Sequence, residues 1–344
     1  MNGVTRVLVV DDSAYVRKVV SQMLSRNGDI EVVGIARDGN EALELVEELR
    51  PDVVTCDLVM PELDGVGFVQ MQMSRRPVPI VILSVANESG ELVLSALDAG
   101  AVDFVQKPTA LATDRLLEIG QELADKVKAA AASRVHAPVL HQMARAIEHP
   151  DVLPRGVFDV VVIGISTGGP QALKLLIPRL PPNLPVPVAV VLHMPVGYTQ
   201  LYAEKLNETS AIHVLEATDQ GRLEPGTVYI APAGRHLTVE RTGDDVFTRL
   251  DARPLDTLYR PSVDVLFQSA ANVFGARVLG VVMTGMGSDG REGAAWIKAK
   301  GGTVFTEAED SCVVYGMPRS VVEAGLSDGA FDLGHMVDAI LEHV

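Results

Sequence analysis

The sequence is poor in cysteine and in long apolar runs, and each shortage excludes a class of protein. Two cysteines in 344 residues are too few for a disulfide framework and favour a reducing compartment. The apolar runs are shorter than the roughly 18 residues that a transmembrane helix needs. Two acidic residues follow the first apolar run directly, which is not typical of a signal peptide. We therefore expect a soluble, cytoplasmic protein that does not insert into membranes.

Basic residues are also scarce. The chain has 29 Lys and Arg residues against 45 Asp and Glu residues, which gives a formal net charge of -16. A negatively charged surface repels nucleic acid phosphates, and no basic recognition helix stands out. A DNA-binding role is therefore disfavoured. The hydrophobic fraction of 47% and the charged fraction of 22% are typical of packed globular domains and exclude a disordered or fibrous chain.

The order of apolar runs predicts two α/β domains. Five short apolar runs alternate with amphipathic helical stretches over residues 1–125, which is typical of a small doubly wound parallel sheet of the flavodoxin kind. The alternation fades over residues 126–156, which we interpret as a linker. It returns over residues 157–344, where residues 236–251 interrupt it with a predicted β-hairpin. The second domain is therefore predicted as another doubly wound α/β domain with a β-hairpin excursion.

Polar side chains end four of the predicted strands in the first domain. Asp11 and Asp12 lie at the end of the first strand, Asp57 at the end of the third and Ser84 at the end of the fourth, and Lys107 follows the fifth. Ligand sites in parallel sheets form beyond these strand ends. Neighbouring carboxylates repel one another unless a cation such as Mg²⁺ joins them, and a lysine can pair with a phosphoryl oxygen. The set predicts a magnesium-dependent site for a phosphorylated carboxylate.

The first domain resembles the receiver domain of two-component response regulators. The matching stretches are VVDDS at 9–13, CDLVMPELDG at 56–65, ILS at 82–84 and DFVQKP at 103–108. The resemblance implies phosphorylation of Asp57. It implies that the Mg²⁺ ligands are Asp11, Asp12, Asp57 and the backbone carbonyl of Val59. The residues it implies for phosphoryl contact and switching are Ser84, Lys107 and the aromatic Phe104.

A glycine-rich loop follows the first strand of the second domain. Its Gly164-x-Ser166-x-Gly168 spacing fits a nucleophile elbow, in which a serine sits on a tight turn between a strand and a helix. The same loop type can also bind a phosphate or a nucleotide at a helix N-terminus. On this motif alone, both an esterase and a nucleotide-binding module remain open.

Two further residues favour the esterase. His193 and Asp289 follow other predicted strands, so both are expected at the sheet edge that carries Ser166, although an aspartate here is also a good helix N-cap. A serine needs a base to become nucleophilic, and an aspartate can orient and stabilise the imidazole. The backbone N–H groups of Met286 and Thr167 are candidate oxyanion donors. The order Ser, His, Asp differs from the α/β-hydrolase order.

The second domain resembles the catalytic domain of chemotaxis protein-glutamate methylesterases. The matching stretches are IGISTGGP at 163–170, LHMP at 192–195, PGTVYIAPAGRH at 225–236, RPSVDVLF at 260–267, MTGMGSDG at 283–290 and CVVYGMP at 312–318. The resemblance implies a Ser166–His193–Asp289 triad that needs no cofactor. It implies hydrolysis of γ-glutamyl methyl esters on methyl-accepting chemoreceptors with release of methanol, and deamidation of receptor glutamines in some members.

Fusion of the two domains suggests control of one by the other. The resemblance implies a chemotaxis histidine kinase as phosphodonor. We expect the unphosphorylated receiver to hinder access to Ser166 and phosphorylation of Asp57 to relieve that restraint.

Overall fold

The computed structural model describes residues 4–85, 90–107, 113–133 and 156–344. The chain divides into two compact units, Met1–His141 and Gln142–Val344. Pro108 of the predicted receiver motif and residues 134–155 of the predicted linker lie outside the described residues. Within the described residues, no helix is long and apolar enough to cross a bilayer. Cys56 and Cys312 are both buried and unpaired.

The first unit is built on a five-stranded parallel sheet. Its strands are β1 (Thr5–Val10), β2 (Ile30–Ala36), β3 (Val53–Asp57), β4 (Ile80–Val85) and β5 (Asp103–Lys107). Its helices are α1 (Ala14–Ser25), α2 (Gly39–Leu49), α3 (Gly65–Arg75), α4 (Gly90–Asp98) and α5 (Thr113–Ala132). The strand order β2-β1-β3-β4-β5 is that of flavodoxin-like doubly wound folds, which confirms the predicted class.

Two boundaries in the first unit differ from the sequence-based expectation. Lys107 is the last residue of β5 rather than the residue after it, since Lys107 pairs with Val85, whereas Asp57 ends β3 as expected. Helix α5 extends to Ala132, so residues 126–132 of the predicted linker are helical. An apolar pattern does not mark these positions, because sheet pairing and helix hydrogen bonds continue through polar or alanine-rich stretches.

The second unit is built on a seven-stranded parallel sheet. Its strands are β6 (Val160–Ile165), β7 (Val188–Leu192), β8 (His213–Glu216), β9 (Thr227–Ile230), β12 (Val278–Val282), β13 (Thr303–Glu307) and β14 (Gly329–Phe331). The predicted hairpin is present as β10 (His236–Thr242) and β11 (Asp245–Asp251). The helices are α6 (Gly169–Leu176), α7 (Thr199–Thr209), α8 (Val263–Phe274), α9 (Arg291–Ala299), α10 (Met317–Glu323) and α11 (Leu333–Leu341).

The strand order β14-β13-β12-β6-β7-β9-β8 places the first strand of this unit at the centre of the sheet. From β6 the chain builds outward through β7 on one side and later through β12 on the other. The carboxyl end of β6 is therefore the point where the winding direction reverses, which is where open α/β sheets form their sites. All residues of β6, β7 and β12 are buried. Ser166 follows β6 directly and so lies at this reversal point.

Candidate active site and acidic cluster

Ser166 and His193 occupy equivalent positions at the ends of adjacent strands. Ile165 pairs with Leu192 in the β6–β7 ladder, and the His193 N–H donates to the Ile165 carbonyl over 3.1 Å. The residues that follow this pair are Ser166 and His193. Neighbouring strands lie about 4.8 Å apart, so Ser166 and His193 begin at adjacent points of the carboxyl edge. Among the described residues, no hydrogen bond joins the imidazole Nδ1 to Ser166 or to any other group.

The turn that carries Ser166 is held on both sides by backbone hydrogen bonds. The Ser166 N–H donates to the Thr284 carbonyl over 3.0 Å, and the Gly169 N–H donates to the Ser166 carbonyl over 2.7 Å. Gly168 adopts a φ of 78°, a left-handed conformation that glycine accepts without strain. The strand, tight turn and helix α6 of a nucleophile elbow are all present.

His193 is joined directly to Asp289. Its Nε2 lies 2.9 Å from Asp289 Oδ2, and both side chains are largely buried. Because the carboxylate can only accept, Nε2 carries the proton and Nδ1 is left as the basic nitrogen. Among the described residues, His193 Nδ1 is buried and has no hydrogen-bond partner. The ring therefore presents an unprotonated nitrogen with no protein donor bound to it.

Tyr259 covers one face of this imidazole. The two rings stack with their centroids 4.2 Å apart and their planes 16° from parallel. Tyr259 lies in the segment between the hairpin and α8, and it is half-buried. The stacking limits rotation of the His193 ring about its axis, so it helps to hold the nitrogen positions that the Asp289 bond defines.

The Asp289 carboxylate also binds the N-terminus of α8. Its Oδ1 accepts from Ser262 Oγ at 2.9 Å and from the Asp264 N–H at 3.0 Å, and its Oδ2 accepts from the Val263 N–H at 2.8 Å. Burial alone would raise the pKa of Asp289. The bond and charge of His193 and the two backbone donors outweigh burial and lower that pKa. Asp289 therefore stays ionised beside the histidine.

A second carboxylate mirrors this arrangement. Asp264 Oδ1 accepts from the Gly290 N–H at 2.9 Å and the Gly293 N–H at 2.6 Å, so it caps α9 while Asp289 caps α8. Burial and the neighbouring Asp289 charge raise the pKa of Asp264, against the pull of the Gly293 N–H. The two caps fix the start of one helix against the other, and the sequence analysis identified neither Asp264 nor Ser262 as part of the site.

Thr284 connects the nucleophile turn to the neighbouring loops. Its Oγ1 donates to the Thr167 carbonyl at 2.9 Å and accepts from the Val314 N–H at 3.0 Å. Its own N–H donates to Glu307 Oε2 at 2.9 Å. Glu307 is fully buried, and burial raises its pKa while the Thr284 N–H opposes that rise. Sequence reasoning missed both residues, although Thr284 lies in the glycine-rich stretch before Asp289.

The two predicted oxyanion donors lie in the two loops that the Thr284–Thr167 hydrogen bond joins. Thr167 is buried directly after Ser166, and Met286 is half-buried after Gly285. A Cβ placed on Gly285 would lie 2.7 Å from the Ser166 Cβ, so the Gly285 backbone passes directly beside the serine. Thr167 therefore adjoins Ser166 in the chain, and Met286 follows a residue whose backbone passes beside Ser166.

The predicted magnesium ligands of the first unit also come together. Carboxylate oxygens of Asp11, Asp12 and Asp57 lie within 4.8 Å of one another; we call these three residues the acidic cluster. Lys107 Nζ lies 2.5 Å from Asp11 Oδ2 and 2.8 Å from Asp57 Oδ2. The Leu58 N–H donates to Asp57 Oδ1 at 2.8 Å. Burial raises the pKa of Asp11. The neighbouring Asp57 charge adds to this rise, and Lys107 opposes it.

An arginine that the sequence analysis did not identify supports this cluster. Arg17 Nη1 donates to the Asp11 carbonyl at 2.7 Å and to the Asp12 carbonyl at 3.0 Å. It therefore holds the backbone that carries two of the three carboxylates. The sequence gives little indication of this role, because Arg17 lies one helical turn into α1 and looks like an ordinary surface position.

The other predicted residues of the first unit lie at different depths. Ser84 is buried near the end of β4, next to the Asp57 strand. Val59 is 65% exposed, two residues after Asp57. Phe104 is only 2% exposed in β5, and the Lys126 ammonium lies 5.7 Å from its ring centroid. Phe104 is thus a core residue in this conformation.

Comparison with known proteins agrees with both halves of the architecture. Residues 161–340 match the family model described as CheB methylesterase, and residues 7–119 match the response regulator receiver domain. A Myxococcus xanthus protein-glutamate methylesterase/protein-glutamine glutaminase is 51% identical over 98% of both chains. A protein of the same description from Lawsonia intracellularis is 39% identical over 98% of both chains.

A solved structure extends the agreement to the catalytic half. The Thermotoga maritima CheB methylesterase catalytic domain superposes with a TM-score of 0.53 at 42% identity, covering 54% of this chain and 98% of that one. The seven-stranded second unit thus has the fold of that domain. With a receiver domain ahead of the catalytic domain and full-length relatives that share both, this chain belongs to the CheB methylesterase family.

Proposed function

We propose that this chain is a phosphorylation-activated serine esterase that hydrolyses γ-glutamyl methyl esters on chemoreceptors and releases methanol. The observation that carries the proposal is the buried His193–Asp289 hydrogen bond at the strand end beside Ser166. Family membership supports the reaction class, and the relatives named above carry that activity in their descriptions. Binding of receptor proteins inside the cell fits the family's place in chemotaxis.

In the first step, the Ser166 hydroxyl attacks the ester carbonyl. His193 Nδ1 takes the hydroxyl proton, and the resulting imidazolium is stabilised by the ionised Asp289 carboxylate bound to Nε2–H. The use of Nδ1 as the base follows from the observed Nε2 contact. The backbone N–H groups of Met286 and Thr167 are proposed to stabilise the negative oxygen of the tetrahedral intermediate.

The second half of the reaction reverses these proton transfers. The imidazolium returns its proton to the departing methoxy group, which leaves as methanol, and an acyl-enzyme ester remains on Ser166. Water then attacks that ester while His193 takes a proton from the water. Collapse of the second intermediate frees the glutamate carboxylate and returns the proton to Ser166. The same steps with ammonia as the leaving group convert a glutamine to a glutamate, as the relatives' second name describes.

The nucleotide-binding alternative finds less support in the loop geometry. Phosphate binding at a helix N-terminus uses backbone N–H groups that point outward from the loop. Here the N–H groups of Ser166 and Gly169 donate to protein carbonyls at 3.0 and 2.7 Å. A phosphate cradle also has no need for the buried His193–Asp289 pair.

For the receiver unit, we propose phosphorylation of Asp57 by a chemotaxis histidine kinase. The acidic cluster suits Mg²⁺, because three carboxylates within 4.8 Å supply the oxygen ligands that this ion prefers. Asp11, Asp12, Asp57 and the Val59 carbonyl would hold the ion, which would neutralise the approaching phosphoryl group. Lys107 already contacts Asp57, and Lys107 and Ser84 are proposed to bind the phosphoryl oxygens, with Phe104 responding as the switch aromatic.

Replacement of Ser166 by alanine tests the esterase proposal. A fluorophosphonate probe should label the wild type and leave Ser166→Ala unlabelled. Methanol release from a methylated receptor fragment should fall by about 10⁴-fold or more, because the remaining groups cannot supply a nucleophile. Ser74→Ala, at an exposed serine of α3, is the matched control and should keep both signals. A folded Ser166→Ala protein that retains a tenth of the turnover would exclude this mechanism.

A further inference from the structure

His236 is a buried histidine that the mechanism above does not use. It is fully buried at the start of β10, 43 positions along the chain from His193. Its Nδ1 accepts from the Ser262 N–H at 3.2 Å. Its Nε2 lies 3.0 Å from the Pro254 carbonyl and 3.2 Å from Thr257 Oγ1. Both ring nitrogens are therefore engaged, each with a different segment of the chain.

These contacts define the protonation of the ring. The Ser262 N–H can only donate, so Nδ1 carries no proton, and the Pro254 carbonyl can only accept, so Nε2 carries one. Only the neutral Nε2–H tautomer satisfies both partners. Burial lowers the pKa of His236, the nearby Arg260 charge lowers it further, and the Pro254 carbonyl partly opposes them. The ring is thus kept in the single form that its neighbours require.

The Nδ1 contact leads to Asp289. Ser262 is the N-cap residue of α8, yet its hydroxyl makes no cap of its own helix, because it donates to Asp289 Oδ1. The Asp289 carboxylate is oriented by Ser262, Val263 and Asp264, and these three residues form the first turn of α8. His236 binds the backbone at the start of that turn and so fixes the point from which the carboxylate is held.

The Nε2 contact leads to His193 by a second route. Pro254 and Thr257 belong to the segment 252–261, and this segment also carries Tyr259, whose ring stacks on the His193 imidazole. The segment is tied down again where the Gly234 N–H donates to the Arg260 carbonyl at 3.0 Å. One side of the His236 ring therefore supports Asp289, and the other supports the residue that covers His193.

We propose that His236 is a positioning residue of the esterase, which holds the Asp289–His193 pair in register through Ser262 on one side and the Tyr259 segment on the other. The proposal rests on the proposed esterase function. It differs from a purely structural role because it predicts a loss of turnover in protein that is correctly folded, with substrate binding unchanged.

Two isosteric substitutions separate the two sides of the ring. In His236→Asn the side-chain oxygen can replace Nδ1 as acceptor for Ser262. In His236→Gln the amide nitrogen can replace Nε2 as donor to Pro254, but no acceptor faces Ser262. We expect kcat to fall about 10–100-fold in His236→Gln, the range typical when a group that orients an active-site ligand is lost. It should fall less than fivefold in His236→Asn, with KM unchanged in both.

The measurement is kcat and KM for methyl ester hydrolysis, with the concentration of active sites fixed by fluorophosphonate titration so that unfolded protein is not counted. His213→Gln, at an exposed histidine of β8, is the matched control and should equal the wild type. Equal kcat values for the Asn and Gln variants, or a Gln variant within twofold of wild type, would overturn the proposal.

A readout on the wild type avoids dependence on variant folding. With ¹⁵N-labelled histidine, His236 should give the signature of the neutral Nε2–H tautomer throughout the pH range in which the esterase is active. A charged ring or an Nδ1–H tautomer would also overturn the proposal. Absence of turnover in the wild type would instead refute the esterase function itself, so the two failures are distinguishable.

Discussion

Glu307 is a carboxylate buried without a cation among its described contacts. It is fully buried, and its two oxygens accept from the Thr284 N–H at 2.9 Å and from Ser311 Oγ at 3.0 Å. Burial raises its pKa above the ordinary value of 4.5, and the two donors only partly offset the rise. The donor from Thr284 also links this carboxylate to the residue that connects the Ser166 turn to the loop that follows β12.

The raised pKa makes a prediction for stability against pH. The unfolded chain loses this proton near pH 4.5, while the folded protein keeps it to higher pH. The contribution of Glu307 to stability is therefore largest below pH 4.5 and decreases as pH rises through the folded value. In Glu307→Gln the oxygen still accepts from Thr284, and the charge is gone. The free energy of unfolding of the variant, relative to wild type, should increase between pH 4.5 and pH 8.

Urea unfolding at several pH values measures this difference. The chain has one tryptophan, Trp296 on α9, so its fluorescence reports unfolding of the second unit alone. Glu309→Gln, at an exposed glutamate two residues away, should show no such trend. A wild-type-to-variant difference that stays constant with pH would show that the pKa of Glu307 is not shifted by folding, and a reversed trend would show that it is lowered; either result contradicts the prediction.

At the residue scale, sequence pointed to the residues proposed to react better than to the residues that support them. Ser166, His193 and Asp289 were predicted because each follows an apolar strand, and parallel strands end at one edge. His236 and Glu307 carried no such signal, because one begins a hairpin strand and the other ends a strand with its side chain turned into the core. Their roles depend on partners 23–26 positions away in the chain, which composition and periodicity do not reveal.

At the scale of elements, the start of α8 is the part of the structure that sequence described least well. An aspartate before a helix is usually its own N-cap, yet the N-cap of α9 is Gly290. Asp289 instead binds the first turn of α8, and Asp264 of that turn binds the first turn of α9. Each helix is capped by the other's carboxylate. This exchange requires the two helices to pack together, and it is therefore a tertiary feature.

The two edge strands of the second sheet were also not predicted. β8 has four residues and β14 has three, and each pairs on one side only, with β9 and β13 respectively. A strand of this length offers too few positions for an alternating pattern. The central strands were predicted well because burial on both faces gives them continuous apolar runs.

Gly285 illustrates how closely the loops around the nucleophile approach each other. A Cβ at this position would clash with Met317 Sδ and would lie 2.7 Å from the Ser166 Cβ. Met317 is fully buried, so its side chain has little room to move away. In Gly285→Ala we expect the Ser166 turn to shift and kcat to fall by about 10²-fold, the order expected for a displacement near 1 Å.

Steady-state kinetics on active-site-titrated protein tests the Gly285 prediction. Gly28→Ala is the matched control, since a Cβ there meets nothing within 4 Å. It should leave kcat unchanged. If Gly285→Ala folds and keeps kcat within twofold of wild type, the contact between this loop and the nucleophile is not important for turnover.

At the scale of the whole molecule, each unit contains the residues of its own proposed site. The first unit contains its parallel sheet, the acidic cluster and Lys107, and the second contains its sheet and the Ser166, His193 and Asp289 site. The Thermotoga catalytic domain was solved by itself, which indicates that a domain of this fold is stable alone. We expect the same of the second unit of this chain, in which case an effect of the receiver on turnover would be regulatory.

The last prediction concerns that regulation. Deleting residues 1–140 should raise the basal rate of ester hydrolysis several-fold, because the restraint proposed for the unphosphorylated receiver is removed. A small phosphodonor with Mg²⁺ should stimulate the full chain, since a phosphoryl group adds about -1.5 to -2 charge at Asp57 beside Lys107. The same donor should have no effect on Asp57→Asn or on the truncated protein. A folded truncated protein no more active than the unphosphorylated full chain would show that the receiver does not restrain the esterase.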